Sequence, residues 1–402
     1  MSPAPTGGTE EKRPGVRQVL AAALSRPQNL CAHVWKTLNA ILCCRTPALG
    51  AHHYRCADCG RDHLVPHSCR NRHCPDCQGA NAQEWLERQE ENLLAVPYFH
   101  VVFTLPHSLN PLIAQNPRPL HKLLFDCASA TLLEFAHNRL GVRPGMTGVL
   151  HTWGQNLLDH HHLHCIVTGG GLSADGQRWR GVKANYLFPV RALSVVFAAK
   201  FRDGLKALYA QDQLEFHGKL AAQAGSAAFA RLVRGACRTK WNVYAKRPFG
   251  GPKQVLAYLS RYTHRIAIGN RRILALDPAT RTVTFAYKDY AAGSQSKTMT
   301  LGLDEFLRRF CLHILPARFV KIRHYGLLAN RGRAERLERA RQFIGQSPQA
   351  PPPSTAPETP TRTPPAKPQQ TCAYCGSVRL HLLAIIQPLR RSRKAAPPND
   401  SS

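Results

Sequence analysis

The sequence predicts an α+β protein with an N-terminal zinc ribbon-like domain. Two observations lead there. Segments with helical apolar periodicity are interspersed with short runs rich in Val, Phe and Ile, and two Cys-x-x-Cys pairs stand about 15 residues apart. The 402 residues suffice for two or three domains at roughly 150 residues each, which excludes a disulfide-stapled miniprotein. With 54 basic and 24 acidic side chains, the formal charge of +30 creates a field that attracts polyanions, and nucleic acid is the natural partner. Runs such as 99–105 and 193–199 are far shorter than the roughly 20 apolar residues a bilayer span needs, so no membrane association is expected. The polar stretch up to Gln18 lacks the apolar core of a secretory signal, which points to the cytoplasm. In a reducing compartment, 14 cysteines favour metal-holding thiolates over disulfides.

The elements follow from periodicity and composition. Residues 1–16 are rich in Pro, Gly and charge and read as a disordered tail. Helical patterns run through 16–24 and 34–42, and with the cysteine and histidine cluster of 52–77 they make up a helical and zinc-binding domain over 17–95. A second domain is expected over 96–345. The stretch 83–94 before it and 119–138 within it look helical, and 98–105 looks like a buried strand. The stretch 163–168 reads as a strand stopped by Gly169, Gly170 and Gly171, with a helix over 192–211. Runs 272–276 and 282–287, turning at Asp277 and Pro278, read as a hairpin. The Pro-rich stretch 346–370 reads as a linker and 371–402 as a basic tail. Cys372 and Cys375, with no matching second dithiol nearby, have no assigned role.

Cys56 and Cys59, followed by Gly60, pair with Cys74 and Cys77 at zinc-ribbon spacing. Four thiolates saturate a tetrahedral Zn2+ and leave no open position, so the site is structural. Cys69 and His73 lie inside the loop, and either is an alternative ligand. Buried reduced cysteines are the plainer explanation, but dispersed core cysteines seldom pair in this way twice.

His162 and His164 alternate along an expected strand and share one face, while Leu163, Cys165 and Val167 form the apolar face opposite. Alone, this is more often a solvated histidine turn. Tyr258 and Tyr262 stand four apart in an apolar-periodic run, on one helix face, where tyrosines more often serve packing. Together with the positive charge the combination has a chemical logic. A divalent ion polarises a scissile phosphate while a phenol attacks phosphorus and holds the DNA end as a phosphotyrosine.

At these residues the chain resembles the IS91 family of transposases, within the HUH class of single-strand endonucleases. The resemblance runs from His67-Ser68-Cys69-Arg70-Asn71-Arg72-His73-Cys74-Pro75 through residues 99–106, 151–155, 162–167 and 258–270 to 323–330, and so covers about 30 to 335. It implies a central antiparallel sheet flanked by helices and carrying the histidine pair. It further implies Mg2+ or Mn2+ in the site, single-stranded DNA at transposon ends and target as partner, and rolling-circle-like transfer through 5′-phosphotyrosine. His162 and His164 carry over as metal ligands and Tyr258 and Tyr262 as nucleophiles. For the third ligand Gln155 is preferred over His264, because in similar replication initiators a polar ligand precedes the histidine pair.

Lys240, Lys246, Arg247, Lys253, Arg261 and Arg265, with Arg271 and Arg272, are candidates for a phosphate-tracking groove, and Trp241, Tyr244 and Phe249 for stacking platforms. The competing reading is a zinc-ribbon DNA-binding protein without catalysis. A carboxylate-triad transposase lacks acidic residues in a distinctive setting, and a tyrosine recombinase needs no metal. On either leading reading, affinity for DNA should fall steeply with salt in a filter-binding titration, and an affinity indifferent to ionic strength would contradict the charge argument.

Overall fold

A computed structural model of the chain describes residues 13–182, 186–246, 254–255, 263–289, 292–345 and 370–389. It opens with helices α1 (Val16–Ala23) and α2 (Ala32–Leu42), which bury the apolar faces their periodicity marks, Val16, Val19, Leu20 and Ala23 on the first and Val34, Leu38 and Ile41 on the second. A hairpin of β1 (Ala51–Cys56) and β2 (Asp62–Pro66) and then α3 (Gln78–Glu90) follow.

Next come β3 (Tyr98–Thr104), α4 (Asn110–Gln115), α5 (Pro117–Leu140), β4 (Val142–Trp153), β5 (Asp159–Ser173) and β6 (Trp179–Gly181). Helices α6 (Val190–Ala210) and α7 (Ser226–Arg238) lead to β7 (Asn242–Lys246). Strands β8 (Ile273–Asp277), β9 (Thr282–Asp289) and β10 (Gln295–Gly302) form a separate three-stranded sheet, followed by α8 (Leu303–Leu312), β11 (Ile322–Gly326), α9 (Arg333–Ile344) and β12 (Leu380–Ile386).

The central sheet has the order β11-β4-β5-β3-β7, with β6 added to β5, and every pairing in it is antiparallel. The expected α+β class with a central antiparallel sheet flanked by helices is therefore present. One face of the sheet supplies Phe99, Val101, Phe103, Leu163, Cys165 and Val167 to a core closed by Leu124, Phe125 and Leu132 of α5 and Leu193, Phe197 and Phe201 of α6. Gly148 of β4 makes room there, since a Cβ on it would stand 3.2 Å from the Phe125 ring.

On the other face, Ile166 and Tyr98 pack with Trp85 and Leu86 of α3, Leu337 and Ala340 of α9, and Val255. A third core joins α1 and α2 to Ile273, Val283 and Phe285 of the small sheet and to Phe306 and Phe310 of α8. It draws on both sides of residue 95. No helix among the described residues is long and apolar enough to cross a membrane.

The helical and strand runs read from the sequence are present with ends shifted by a few residues, and the 272–287 hairpin pairs Asp277 with Thr282. Gly169, Gly170 and Gly171 do not stop the strand, because β5 continues to Ser173. They permit close approach instead: a Cβ on Gly171 would lie 2.4 Å from the Arg143 carbonyl oxygen, and Gly170 has φ of +140°. Phe103 is fully buried between the sheet and α6, with its ring 4.8 Å from Phe197. Phe103→Ala should lower unfolding free energy by about 3 to 5 kcal/mol in a urea titration, and a change within 0.5 kcal/mol would contradict this core assignment.

Candidate active site and cysteine clusters

The candidate site is built by strand register. The chain reverses through residues 154–158, so β4 returns against β5 with His151 opposite His162 and Val149 opposite His164. Directly paired residues project to the same face. Across the sheet this gives rows: His151, His162, Thr104 and Asn242; Val149, His164, Val102 and Tyr244; Thr147, Ile166, His100 and Lys246. One ring nitrogen from each of His151, His162 and His164 lies within 4.8 Å of the others, a grouping able to hold a metal ion.

Hydrogen bonding orients the rings. His162 Nδ1 donates to the His160 carbonyl oxygen at 2.7 Å and leaves Nε2 as the donor for a metal. His164 Nδ1 is 2.8 Å from His100 Nε2, and in the tautomer in which His164 donates there its Nε2 carries the lone pair. His151 stacks on Trp153 with ring centroids 4.5 Å apart. Burial pushes His162 down to about 3, with the neighbouring His160 and Arg265 acting in the same direction, and holds His164 well below the usual imidazole range. The rings are therefore neutral at pH 7, the state that binds metal.

The turn that sets the register is gripped from outside. Arg309 donates to the Asn156 carbonyl at 3.0 Å, His313 Nε2 donates to the Leu157 carbonyl at 3.0 Å, and the Arg272 guanidinium donates to the Gln155 carbonyl. Arg272 also donates to Ala267 and Ala286 carbonyls, so its guanidinium is committed to backbone rather than to a phosphate groove.

A third imidazole, His151, joins His162 and His164 in this group. Gln155 lies beyond the last residue of β4, in the turn, four positions past the row that faces His162. His264 belongs to neither the histidine group nor a cysteine group, and its ring meets Trp85 edge-on at 6.2 Å. Gly154 after Trp153 hints at a turn, but the register that sets His151 opposite His162 is fixed only by the fold.

Tyr258 and Tyr262 lie outside the described residues, as do Arg247, Phe249, Lys253 and Arg261. The described residues nearest that stretch are on the histidine face or charge-coupled to it. Val255 buries with Ile166, and the Arg265 charge bears on His162 and His164. Tyr244 and Lys246 share the histidine face, and Tyr244 is 54% exposed. Lys240 is exposed, between α7 and β7 and two residues before Asn242. Trp241 is buried in the main core, with its indole N–H donating to the Ala236 carbonyl, so it is no stacking platform.

Near the site a basic cleft of about 330 Å³ is lined by Arg70, Arg72, His264, Arg318 and Lys321. Lys321 donates to the Arg265 carbonyl at 2.9 Å and stands over the Trp153 ring, and desolvation pushes its ammonium down to about 7.

The four expected zinc ligands are divided between two clusters. Cys74 and Cys77 group with Cys44, from the end of α2, and with Cys69. Their Sγ contacts include Cys44 to Cys77 at 3.6 Å and Cys69 to Cys77 at 3.7 Å, and the Cys69 amide donates to Cys44 Sγ. Cys56 and Cys59 group instead with Cys372 and Cys375. The single-ribbon assignment failed because β1 and β2 extend from Ala51 to Pro66 and carry the first knuckle to the far end of a hairpin. His73 joins neither cluster.

Comparison with known proteins agrees with this arrangement. Residues 145–336 match the family model described as "Putative transposase", and residues 16–105 match "Transposase zinc-binding domain". The chain is 33% identical over 302 residues to "Transposase for insertion sequence element IS801" of Pseudomonas savastanoi pv. phaseolicola, covering 74% of this chain and 70% of that protein. The chain belongs to the IS91 family of transposases. The transposase is also 44% identical over 325 residues to "Putative transposase y4qJ" of Sinorhizobium fredii (strain NBRC 101917 / NGR234), covering 80% of this chain and 81% of that protein. No solved structure matches it. The zinc-binding match takes in the Cys44, Cys69, Cys74 and Cys77 cluster, which supports structural zinc.

Buried neutral histidines also shape the pH response of the transposase. Away from the metal group, burial pushes His121 down to about 3 and His313 to about 4. Because these values lie below the unfolded value near 6.5, the unfolded chain takes up the extra protons, and stability is lost as pH falls from about 6.5 toward 4. Each ring should contribute up to about 1.4 kcal/mol per pH unit in that window. The urea midpoint should drop between pH 7 and pH 5, less so in His121→Leu, and an unchanged midpoint would contradict this burial.

Proposed function

We propose that the transposase cuts and rejoins single-stranded DNA by transesterification at the histidine site, through 5′-phosphotyrosine, in rolling-circle-like transposition. The observation that carries this reading is the convergence of His151, His162 and His164 on one face of the central sheet. Three imidazoles suit a first-row divalent ion, and Mn2+ fits this donor set better than the harder Mg2+. An ion held there would neutralise charge on the scissile phosphate.

The protein's own residues do the rest. Tyr258 and Tyr262 are the proposed nucleophiles. Attack of a phenolic oxygen on phosphorus forms the tyrosyl ester and breaks the bond to O3′; the phenol gives its proton to solvent, and solvent returns one to O3′, which leaves as a 3′-hydroxyl. One ester replaces another, so the reverse reaction with a new 3′-hydroxyl rejoins strands without an external energy source. Two tyrosines let one hold an end while the other cuts. Lys246 and Arg265 supply positive charge beside the histidines, and the exposed Tyr244 ring offers a base a surface on which to stack. The basic cleft containing Arg70, Arg72 and Arg318 extends the track for the strand's phosphates.

A single-stranded oligonucleotide from the element's terminus, incubated with Mn2+, should yield a protein adduct that survives denaturation. The adduct should be absent in Tyr258→Phe/Tyr262→Phe and reduced on the order of 10²-fold or more in His162→Ala. Salt-sensitive binding with no adduct under any divalent ion would favour a DNA-binding protein without catalysis.

A further inference from the structure

The second cysteine cluster joins the two extremes of the described chain. Cys56 Sγ is 3.6 Å from Cys375 Sγ, and Cys59 Sγ is 3.6 Å from Cys372 Sγ. Four sulfurs at about 2.3 Å from one zinc stand roughly 3.8 Å apart, whereas a disulfide needs about 2.05 Å. The two halves are built alike. Cys56-Ala57-Asp58-Cys59-Gly60 and Cys372-Ala373-Tyr374-Cys375-Gly376 share the same spacing, with Gly60 at φ +69° and Gly376 at φ +75°. In each the glycine amide donates back to the first cysteine's carbonyl, at 3.0 Å and 2.9 Å. Each half is a knuckle that presents two thiolates to a common point.

We propose that Cys372 and Cys375 complete a second, four-thiolate Zn2+ site with Cys56 and Cys59, and that this ion clips the C-terminal segment onto the N-terminal domain. The contacts around the cluster fit a clip. Strand β12 pairs with β1 from Cys56 opposite Leu380 to Ala51 opposite Ile386. Ala57 donates to the Arg379 carbonyl at 2.9 Å, Arg379 pairs with Asp58, and Arg61 lies over the Tyr374 ring.

Packing does not hold this strand. Leu382, Leu383, Ile385 and Ile386 of β12 are each more than 40% exposed, at 49%, 47%, 54% and 42%. A seven-residue edge strand that buries so little apolar surface is weak on its own, so the thiolate site is the element that fixes it. With all four positions taken by sulfur, the ion has no place for substrate, and its role is structural. The proposal is independent of DNA cleavage, since it concerns metal content and chain attachment.

Metal analysis of the full-length protein should find two zinc ions per chain, and one in Cys372→Ser/Cys375→Ser. One ion in the unaltered protein, or two in the variant, would overturn the proposal. A second measurement leaves the ligands intact: a protease site is engineered between residues 360 and 361 and cut. The C-terminal fragment should co-elute with the remainder in gel filtration and separate after zinc chelation. Separation while zinc is present would overturn the clip.

Discussion

The backbone register between β4 and β5 is the constraint on which the site depends. Side chains alternate along a strand, so slipping one strand by a single residue would turn His151 away from His162 and drive Leu150 out of the core. The same pairing therefore specifies the apolar core and the imidazole cluster. Leu163 opposite Leu150 fixes one face, and His162 opposite His151 is the consequence on the other. Arg272, Arg309 and His313 reinforce this by holding the carbonyls of the turn, far in sequence from the histidines they position.

Desolvation then decides the chemistry of the cluster. The His162 and His164 imidazoles, packed against His100, His151 and each other, lose hydration that would favour protonation, and Arg265 adds a like charge. His162, kept neutral and oriented through Nδ1, presents Nε2 as its donor atom. The small sheet β8 to β10 and helices α1 and α2 share a core that includes Leu157 of the turn and the cysteines Cys44, Cys74 and Cys77. The zinc-binding part of the chain is thus packed against the loop that sets the site, and the two are not independent beads on a string.

Much of this was legible in the sequence because it is local. Alternation in His162-Leu163-His164-Cys165 marks one wet and one dry face, and helical periodicity marked α1, α2, α5 and α6. What escaped is non-local. His151 belongs to the site only through a hairpin whose register depends on the turn at 154–158, and a single residue carries no sign of its partner across a sheet. Cys44, Cys372 and Cys375 join their clusters over separations that spacing rules do not reach, although the repeated Cys-Ala-x-Cys-Gly was visible. Gly169 to Gly171 look like a stop in one dimension and prove to be a point of close strand contact in three. Trp241 and Arg272 carried side chains apt for DNA, yet the fold commits one to the core and the other to backbone carbonyls.

The register account is tested most directly by pulsed electron paramagnetic resonance of Mn2+ added to the full-length protein in the absence of DNA. The account predicts nitrogen couplings from three histidine rings, reduced to two in His151→Ala and unchanged in Gln155→Ala. Mn2+ surrounded by water alone, or a spectrum that responds to Gln155→Ala but not to His151→Ala, would contradict it.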